Sequence, residues 1–444
     1  MTKTDASYKA IWSLSYPIIL SSLAQTILQI TDTAFLGRVG EVELGASAIA
    51  GVFYFTLVMV GIGFGIGAQV LIARRAGEEQ HAEIGRIFRH AAWLFLMISA
   101  VFLVIIYLMT PAFFSLIITS DEIRNAANQY ILWWGWGIVF ALITISFRSF
   151  YIGIASTRLI TYNAFLTTAI NILLDYVMIF GHYGFPEMGI AGAGLASAIS
   201  ETIGALYLGI NTAMKTEFKP FSLFRFGKNN FGLTRQIIRL STPATMQFLM
   251  SMGSYFIFFV FIERLSGHDL AVSNIVRSAY MVLMIPLWGF SAAANSMVSN
   301  LIGQKRQDEV MSLLKKIIFM SFSVSLTLSA FYFVFPEIVL GAITNNITLI
   351  RDSTLCLYII CFAGLIFCVS VILLNAVSGT GNTRMAMNIE FITTIIYLLY
   401  VIICVMLFRT DVEIVWLAEI LYWFLIGIFS WWYLRSMKWK TIIV

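Results

Sequence analysis

Long apolar runs follow one another along the chain, and short polar connections separate them. Each run exceeds the roughly 20 residues that a helix needs to cross a bilayer. The runs are continuous and do not alternate with polar residues, which excludes a closed β-barrel. The pattern therefore predicts an all-α polytopic membrane protein with twelve transmembrane helices. The predicted spans are residues 10–36, 46–73, 88–110, 128–153, 159–181, 189–213, 236–262, 271–299, 313–340, 353–377, 386–408 and 413–435.

Composition agrees with this pattern and removes other classes of protein. Hydrophobic residues make up 59% of the 444 positions and charged residues 11%, whereas soluble domains carry about 25% charged residues. These values exclude a soluble enzyme, a secreted disulfide scaffold and a disordered chain. All four cysteines lie in apolar runs late in the chain, which is typical of buried thiols.

The distribution of Lys and Arg predicts the orientation in the membrane. With the N-terminus in the cytoplasm, the inner loops hold 22 of the 28 basic residues and the outer loops five. We therefore expect a multi-pass protein of the inner (cytoplasmic) membrane with both termini cytoplasmic. The net charge of +5 then reflects the concentration of basic residues on the inner side of the membrane and does not indicate nucleic-acid binding. The basic, Phe-containing connection 214–235 is expected to lie along the anionic lipid of the inner leaflet, a regulatory site being the alternative.

An internal repeat divides the spans into two sets of six. Shifting the numbering by 226 places Leu14–Pro17 on Leu240–Pro243 (240 − 14) and Gly153 on Gly379 (379 − 153), and we call this shift the repeat offset. Because six is even, both halves have the same orientation and are parallel repeats. We predict an N-terminal lobe of residues 1–213, a cytoplasmic linker of 214–235 and a C-terminal lobe of 236–444. Two such lobes are typical of an alternating-access transporter, although an inert duplicated scaffold would show the same repeat.

Ionisable groups inside membrane spans are expensive and mark ion or substrate pathways by default. In the first span, Gln25, Gln29 and Asp32 are spaced so that they share one helix face. Pro17 lies in the middle of the same span, where it produces either a static bend or a hinge. Gln25 and Gln29 are candidates for the substrate cavity.

A second polar stripe occupies the fifth span, where Asn163, Thr167, Asn171 and Asp175 recur every four residues. Acids on two helices of one lobe indicate a shared hydrated pocket, in which Asn163 and Thr167 are further candidates for the substrate cavity. Carboxylate, amide and hydroxyl oxygens suit Na⁺, and a desolvated pair of carboxyl groups also suits a proton. The alternative is a set of hydrogen bonds that only seals the lobe.

The two halves differ in these acids. At the repeat offset, Asp32 corresponds to Phe258 and Asp175 corresponds to Val401. No acid occurs from 218 to 262 or from 353 to 389. We therefore expect ion coupling in the N-terminal lobe alone. The roles of four other intramembrane charges stay open, namely Glu201, Arg277, Glu390 and Glu419.

Several motifs resemble those of the MATE (multidrug and toxic compound extrusion) family over essentially the whole chain. The motifs are Asp32–Arg38, Asn171–Asp175, Gly189–Ser197 and Gly379–Arg384. The resemblance implies a V-shaped, two-lobed bacterial antiporter that exports cationic or amphipathic compounds in exchange for H⁺ or Na⁺. The branch typified by NorM carries further acids in spans seven and ten. Their absence here makes the sequence more similar to the DinF-like branch, with an apolar and aromatic C-terminal cavity.

Residue roles follow from the same resemblance. It implies a coupling-cation site at Asp32, Asn171 and Asp175, which a hydroxyl at Ser197 completes, and which would hold Na⁺ if the coupling ion is a metal. It also matches Gln25 to a cavity-lining position and Pro17 to a proline linked to bending of the first helix.

The leading interpretation is therefore a secondary active antiporter for small organic cations or amphipathic compounds, with no cofactor beyond the coupling ion, and we expect a monomer. The alternative is a flippase of a lipid-linked precursor in the same superfamily, although the basic residues that would bind pyrophosphate are nearly absent from the spans. The chain lacks a nucleotide-binding G-x-x-x-x-G-K-[ST] loop and an HExxH motif, so we do not expect an enzyme.

Overall fold

The computed structural model describes residues 5–225 and 230–441, so the predicted linker is described except for residues 226–229. Within these residues, twelve helices are long and apolar enough to cross a membrane. This number confirms the predicted all-α fold of twelve spans. The helices are α1 (Tyr8–Val39), α2 (Glu41–Gly77), α3 (His81–Ile117), α4 (Asp121–Gly153), α5 (Arg158–Phe180), α6 (Ile190–Met214), α7 (Phe231–Glu263), α8 (Gly267–Gly303), α9 (Gln307–Val334), α10 (Ile347–Gly379), α11 (Thr383–Phe408) and α12 (Val412–Arg435).

Short polar residues start several of these helices and explain why the connections are so brief. The Ser266 hydroxyl accepts a hydrogen bond from the Asp269 backbone N–H at 3.0 Å and caps α8. Asn346 accepts from two backbone N–H groups at the start of α10, and Asn382 accepts from Met385 at the start of α11. Such caps satisfy donors that the first turn of a helix leaves unpaired.

The repeat is visible in the helix boundaries. The first residues of α2 and α8, of α3 and α9, and of α4 and α10 each differ by 226 (267 − 41, 307 − 81 and 347 − 121). The sixth helices are offset by 222 instead (412 − 190), because the connection before α6 is longer than the one before α12. This difference decides which residues of α6 and α12 correspond.

The described chain forms two compact units. One runs from Leu20 to Ile238, and the other contains the chain from Arg239 onwards together with the residues before Leu20. The first part of α1 thus packs within the second unit. In that unit the Lys316 ammonium donates to the Ala6 carbonyl at 2.7 Å, and a Cβ at Gly289 would lie 2.8 Å from the Ser15 carbonyl oxygen.

The connection after α6 packs on α3 within the first unit. Phe218 and Phe221 are buried, and the Arg89 guanidinium donates to the Ser222 carbonyl at 2.6 Å. A Cβ at Gly85 of α3 would lie 1.8 Å from the Phe221 carbonyl oxygen, so only glycine permits this contact. These two Phe side chains therefore contact protein and not lipid, whereas Phe224 is exposed.

Glycines at equivalent positions let helix backbones meet in both halves. A Cβ at Gly153 of α4 would lie 3.2 Å from the Gln69 carbonyl oxygen of α2. In the second half a Cβ at Gly379 of α10 would lie 2.4 Å from the Asn295 carbonyl oxygen of α8. The two glycines and the two carbonyl residues are each related by the repeat offset (379 − 153 and 295 − 69). Small residues at such crossings are typical of membrane helix packing.

We expect Gly379→Ala to destabilise the protein, because its methyl group would displace the α8 backbone. Overpacking of this kind usually destabilises by about 1–3 kcal/mol. The measurement is the apparent melting temperature of the purified protein in detergent. Gly253→Ala is the matched control, since a Cβ at Gly253 meets nothing within 4 Å. Equal melting temperatures for Gly379→Ala and the wild type would show that this crossing does not limit stability.

Candidate functional site

Helices α1 and α5 bring the two predicted acids together around one amide. The Asn171 side-chain nitrogen donates to Asp175 Oδ2 at 3.0 Å and to Asp32 Oδ1 at 3.1 Å. The two carboxyl groups also lie within hydrogen-bonding distance of each other. Asn171 and Asp175 are one helical turn apart on α5, so both face α1. The Thr168 hydroxyl holds the two helices together by donating to the Ala24 carbonyl at 3.2 Å.

The orientation of the Asn171 amide follows from its surroundings. The opposite orientation would turn the amide oxygen towards carboxylate oxygens, which cannot donate when ionised. With the nitrogen facing the acids, the amide oxygen accepts from the Ser197 backbone N–H at 3.2 Å and from its hydroxyl at 3.3 Å. The predicted contribution of α6 therefore reaches the site through Ser197, which orients the amide.

Glycines at the start of α6 explain why Ser197 comes so close. A Cβ at Gly192 would lie 2.7 Å from the Met178 carbonyl oxygen of α5, and one at Gly194 would lie 2.6 Å from the Tyr130 carbonyl oxygen of α4. The motif that opens the sixth span therefore permits two close backbone contacts. Those contacts set the depth at which Ser197 meets Asn171.

Burial differs between the two acids. Asp175 and Asn171 are each 1% exposed, whereas Asp32 is partly accessible. Asp175 Oδ1 is buried and has no hydrogen-bond partner among the described residues. A buried carboxylate oxygen without a partner is unfavourable. It is satisfied when a proton or a metal cation binds beside it, and Asp32 provides the accessible side of the pair.

These groups can hold a monovalent cation in either of two forms. Two carboxyl groups within hydrogen-bonding distance can hold one proton between them. A Na⁺ ion would take the same carboxylate oxygens, together with the Asn171 oxygen after the amide turns over. No group of three His, Cys, Asp or Glu side chains that could hold a metal ion occurs in the described part of the chain.

The four predicted cavity residues differ in their burial. Gln25 and Gln29 are exposed on α1. Asn163 is buried and Thr167 is partly buried against Gly204 of α6, where a Cβ would lie 2.5 Å from Thr167 Cγ2. Asn163 and Thr167 thus lie at a helix contact in this conformation, and their role in a substrate cavity stays a prediction.

Polar groups to which the sequence assigned no role lie beside the site, and Glu201 is among them. Tyr130 of α4 is 4% exposed and close enough to interact electrostatically with Asp32, Asp175 and Glu201. Glu201 of α6 accepts from the Tyr54 hydroxyl at 2.7 Å and from the Trp134 indole at 3.2 Å. Aromatic residues in an apolar run carry no distinguishing pattern, so only the packing of α2 and α4 on α6 identifies them.

Twelve apolar helices in two equivalent halves of the described chain define a polytopic membrane protein built from an internal repeat. Within that class the chain belongs to the MatE family, whose model matches residues 17–177 and 243–405. The starting positions of the two matches differ by the repeat offset (243 − 17). Membership of this family makes the protein a multi-pass membrane transporter and not an enzyme.

Curated relatives carry the name probable multidrug resistance protein NorM. The chain is 27% identical to the Thermotoga maritima protein over 395 residues, which are 87% of this chain and 82% of that protein. It is also 27% identical to the Rhizobium meliloti protein over 284 residues, which are 63% of this chain and 60% of that one. The chain therefore spans about three-fifths of the second relative's length. These names do not confirm the expected DinF-like branch.

Solved structures show the same fold. A MOP-superfamily transporter from Pyrococcus furiosus superposes with a TM-score of 0.90 at 18% identity and covers 98% of this chain and 96% of that one. The MATE transporter VcmN from Vibrio cholerae, solved as a mutant, superposes with a TM-score of 0.87 at 16% identity, covering 98% of both chains. At these identities the likeness establishes the fold alone.

Asn171→Ala tests whether the amide holds the site together. It removes the donor that both carboxyl groups share and leaves the Ser197 hydroxyl without its acceptor, so we expect a loss of about 1–3 kcal/mol in the free energy of unfolding. The measurement is thermal denaturation of the purified protein. Asn211→Ala is the matched control, because the Asn211 amide donates only within its own helix, to the Tyr207 carbonyl at 2.9 Å. Similar losses in both variants would contradict a specific role for Asn171.

Proposed function

We propose that this protein is a secondary active antiporter that exports cationic or amphipathic compounds, drugs among them, in exchange for inward H⁺ or Na⁺. Membership of the MatE family and relatives named for multidrug resistance support export of such compounds. One observation carries the coupling. Two carboxyl groups on different helices, one buried and one accessible, converge on a single amide inside the membrane-spanning region.

The coupling site consists of Asp32, Asn171, Asp175 and Ser197. Binding of a cation between the carboxyl groups removes their mutual repulsion and satisfies the buried Asp175 oxygen. An ion that binds one access state more tightly than the other shifts the equilibrium between them, and a substrate with the opposite preference shifts it back. Exchange follows from these two preferences without a covalent step.

The membrane orientation and the branch are part of the proposal. The excess of Lys and Arg in alternate loops supports cytoplasmic termini in the inner membrane. The DinF-like assignment rests on the lack of acids in the interior of α7 and α10. The acids of these two helices lie only near the helix ends, at Glu263 and Asp352. We expect the protein to act as a monomer.

Pro17 is proposed as a hinge of α1. It lies two residues before Ile19, the last residue of α1 that packs within the second unit. Proline weakens the helix at that point, since it lacks a backbone N–H.

Asp32→Asn is expected to abolish gradient-driven transport, because an amide can neither share a proton nor attract a cation as a carboxylate does. The measurement is uptake of a fluorescent organic cation into proteoliposomes under an imposed ΔpH or an imposed Na⁺ gradient, each applied separately. The gradient that drives the wild type identifies the coupling ion. Asp121→Asn is the matched control, because Asp121 is a highly exposed carboxylate at the start of α4.

Undiminished gradient-driven uptake by Asp32→Asn would remove the proposed coupling site. If the wild type moves a lipid-linked pyrophosphate and no organic cation, the flippase alternative replaces the antiporter.

Pro17→Ala restores a complete helix at the proposed hinge. If α1 bends during transport, this variant should bind the fluorescent cation as tightly as the wild type and transport it more slowly. Equilibrium binding and initial transport rates measure the two properties on the same preparation. Unchanged rates would show that Pro17 produces a static bend only.

A further inference from the structure

A second group of buried acids lies within the unit that contains α7 to α12. Glu419 of α12 is 4% exposed, and its carboxylate accepts from the Tyr397 hydroxyl at 3.1 Å and from the Trp423 indole at 3.1 Å. The Tyr280 hydroxyl donates to it at 3.5 Å. Nearby, Glu390 of α11 is 2% exposed and accepts a hydrogen bond from the Tyr422 hydroxyl. We call Glu390, Glu419 and these four aromatic residues the C-terminal carboxylate cluster.

The cluster occupies the position in its half that the Asp32–Asp175 site occupies in the first. Tyr397 corresponds to Asn171 at the repeat offset (397 − 171). Glu419 corresponds to Ser197 at the smaller offset that relates α12 to α6 (419 − 197), and Leu195-Ala196 falls on Leu417-Ala418 in the same register. The contact between Asn171 and Ser197 at 3.3 Å thus has a counterpart between Tyr397 and Glu419 at 3.1 Å.

The aromatic donors follow the same correspondence. Tyr280 corresponds to Tyr54 at the repeat offset (280 − 54), and each phenol donates to a glutamate of the sixth helix of its half. Phe258 replaces Asp32, and its ring stacks on that of Tyr397 with centroids 5.9 Å apart. In the second half the positions of Asp32 and Asp175 are therefore apolar, and the carboxylate that contacts the equivalent of Asn171 belongs to the sixth helix.

No Lys, Arg or His of the described chain lies within 4.0 Å of either carboxylate. Arg277 lies over the Phe259 ring at 5.1 Å and is near Tyr255, which in turn interacts electrostatically with Glu419. An ionised carboxylate in such surroundings depends on hydrogen bonds for its stability. The charged and titratable groups around Glu419 are Tyr255 of α7, Arg277 and Tyr280 of α8, Glu390 and Tyr397 of α11, and Tyr422 of α12.

A buried hydroxyl without a hydrogen-bond partner lies on the face of α11 that carries Glu390 and Tyr397. Thr394 is 9% exposed, and its Oγ1 is buried with no hydrogen-bond partner among the described residues. It lies four residues after Glu390 and three before Tyr397, so all three share one face of α11. A hydroxyl both donates and accepts, and can bond a carboxyl group in either protonation state.

The surroundings decide which cation fits. Each polar contact to Glu419 among the described residues comes from an O–H or N–H donor, whereas a metal ion requires several oxygen acceptors. The rings also pack closely: the Trp423 centroid lies 4.2 Å from that of Phe367 and 4.8 Å from that of Tyr422. A proton needs no cavity. Once Glu419 is protonated, the Tyr280 hydroxyl, at the longest of the three contacts, can turn and accept its O–H.

We propose that Glu419 is a proton-binding site of the second half, separate from the Asp32–Asp175 pair, with Glu390 as a neighbouring carboxyl group. Binding adds one proton to the Glu419 carboxylate, and release returns it to water. The second half then also binds a coupling ion, whereas the sequence alone predicted ion coupling in the first half only. It does not depend on whether Asp32 couples transport.

The experiment is pH-difference infrared spectroscopy of the full-length protein in lipid vesicles. Protonated carboxyl groups have a carbonyl band that ionised ones lack. We expect the wild type to show such a band changing with pH, and Glu419→Gln to lose the part due to one carboxyl group. Tyr397→Phe should keep that band and shift its frequency, since a hydrogen bond to the carboxyl group is lost. Glu337→Gln is the matched control at an exposed carboxylate.

The possible outcomes distinguish the two sites. Spectra of Glu419→Gln and Tyr397→Phe that both match the wild type would overturn the proposal, and the Tyr397→Phe variant serves if Glu419→Gln fails to fold. If Asp32→Asn loses a carbonyl band and Glu419→Gln does not, the result would support proton binding at the Asp32–Asp175 pair and exclude it at Glu419. Loss in Glu419→Gln together with unchanged transport by Asp32→Asn would support the second site and remove the first.

Discussion

Hydrocarbon offers no hydrogen bonds to a charged side chain, so a membrane protein must supply them from its own helices. The intramembrane acids of this chain follow that requirement. The Asn171 amide donates hydrogen bonds to Asp32 and Asp175, and tyrosine hydroxyls and indole N–H groups donate to the glutamates. Since each donor belongs to a particular helix, the relative positions of the helices within each half are tied to the charges that they surround.

Close backbone contact makes those hydrogen bonds reachable. Glycines at the start of α6 let it approach both α4 and α5, and this brings Ser197 to the Asn171 amide. Equivalent glycines, Gly153 and Gly379, form corresponding crossings in the two halves. Packing in a membrane depends on such small residues because lipid provides no hydrophobic driving force between helices. The scaffold is therefore common to both halves even where the chemistry differs.

The halves place their charge differently on this common scaffold. In the first, carboxylates of α1 and α5 share an amide, and a hydroxyl of α6 orients it. In the second, a phenol occupies the position of the amide and donates to Glu419 of the sixth helix, while Glu390 lies elsewhere on the fifth. A phenol can donate to a carboxylate as an amide can, so the exchange keeps the buried acid hydrogen-bonded. Duplication followed by such exchanges can give one transporter two sites of different accessibility.

The sequence by itself determined the number of helices, the repeat and the pair Asp32 and Asp175, because hydropathy and the spacing of polar residues are local properties of a chain. It also marked Asn171 and Ser197 through their motifs. Only the tertiary structure decided that Asn163 and Thr167 lie at a helix contact and that Tyr397 donates to Glu419. Those facts depend on which helices meet and at what depth. An unequal connection before the sixth helix makes the offset smaller there than in the earlier helices, and a single offset therefore hides the correspondence of Ser197 with Glu419.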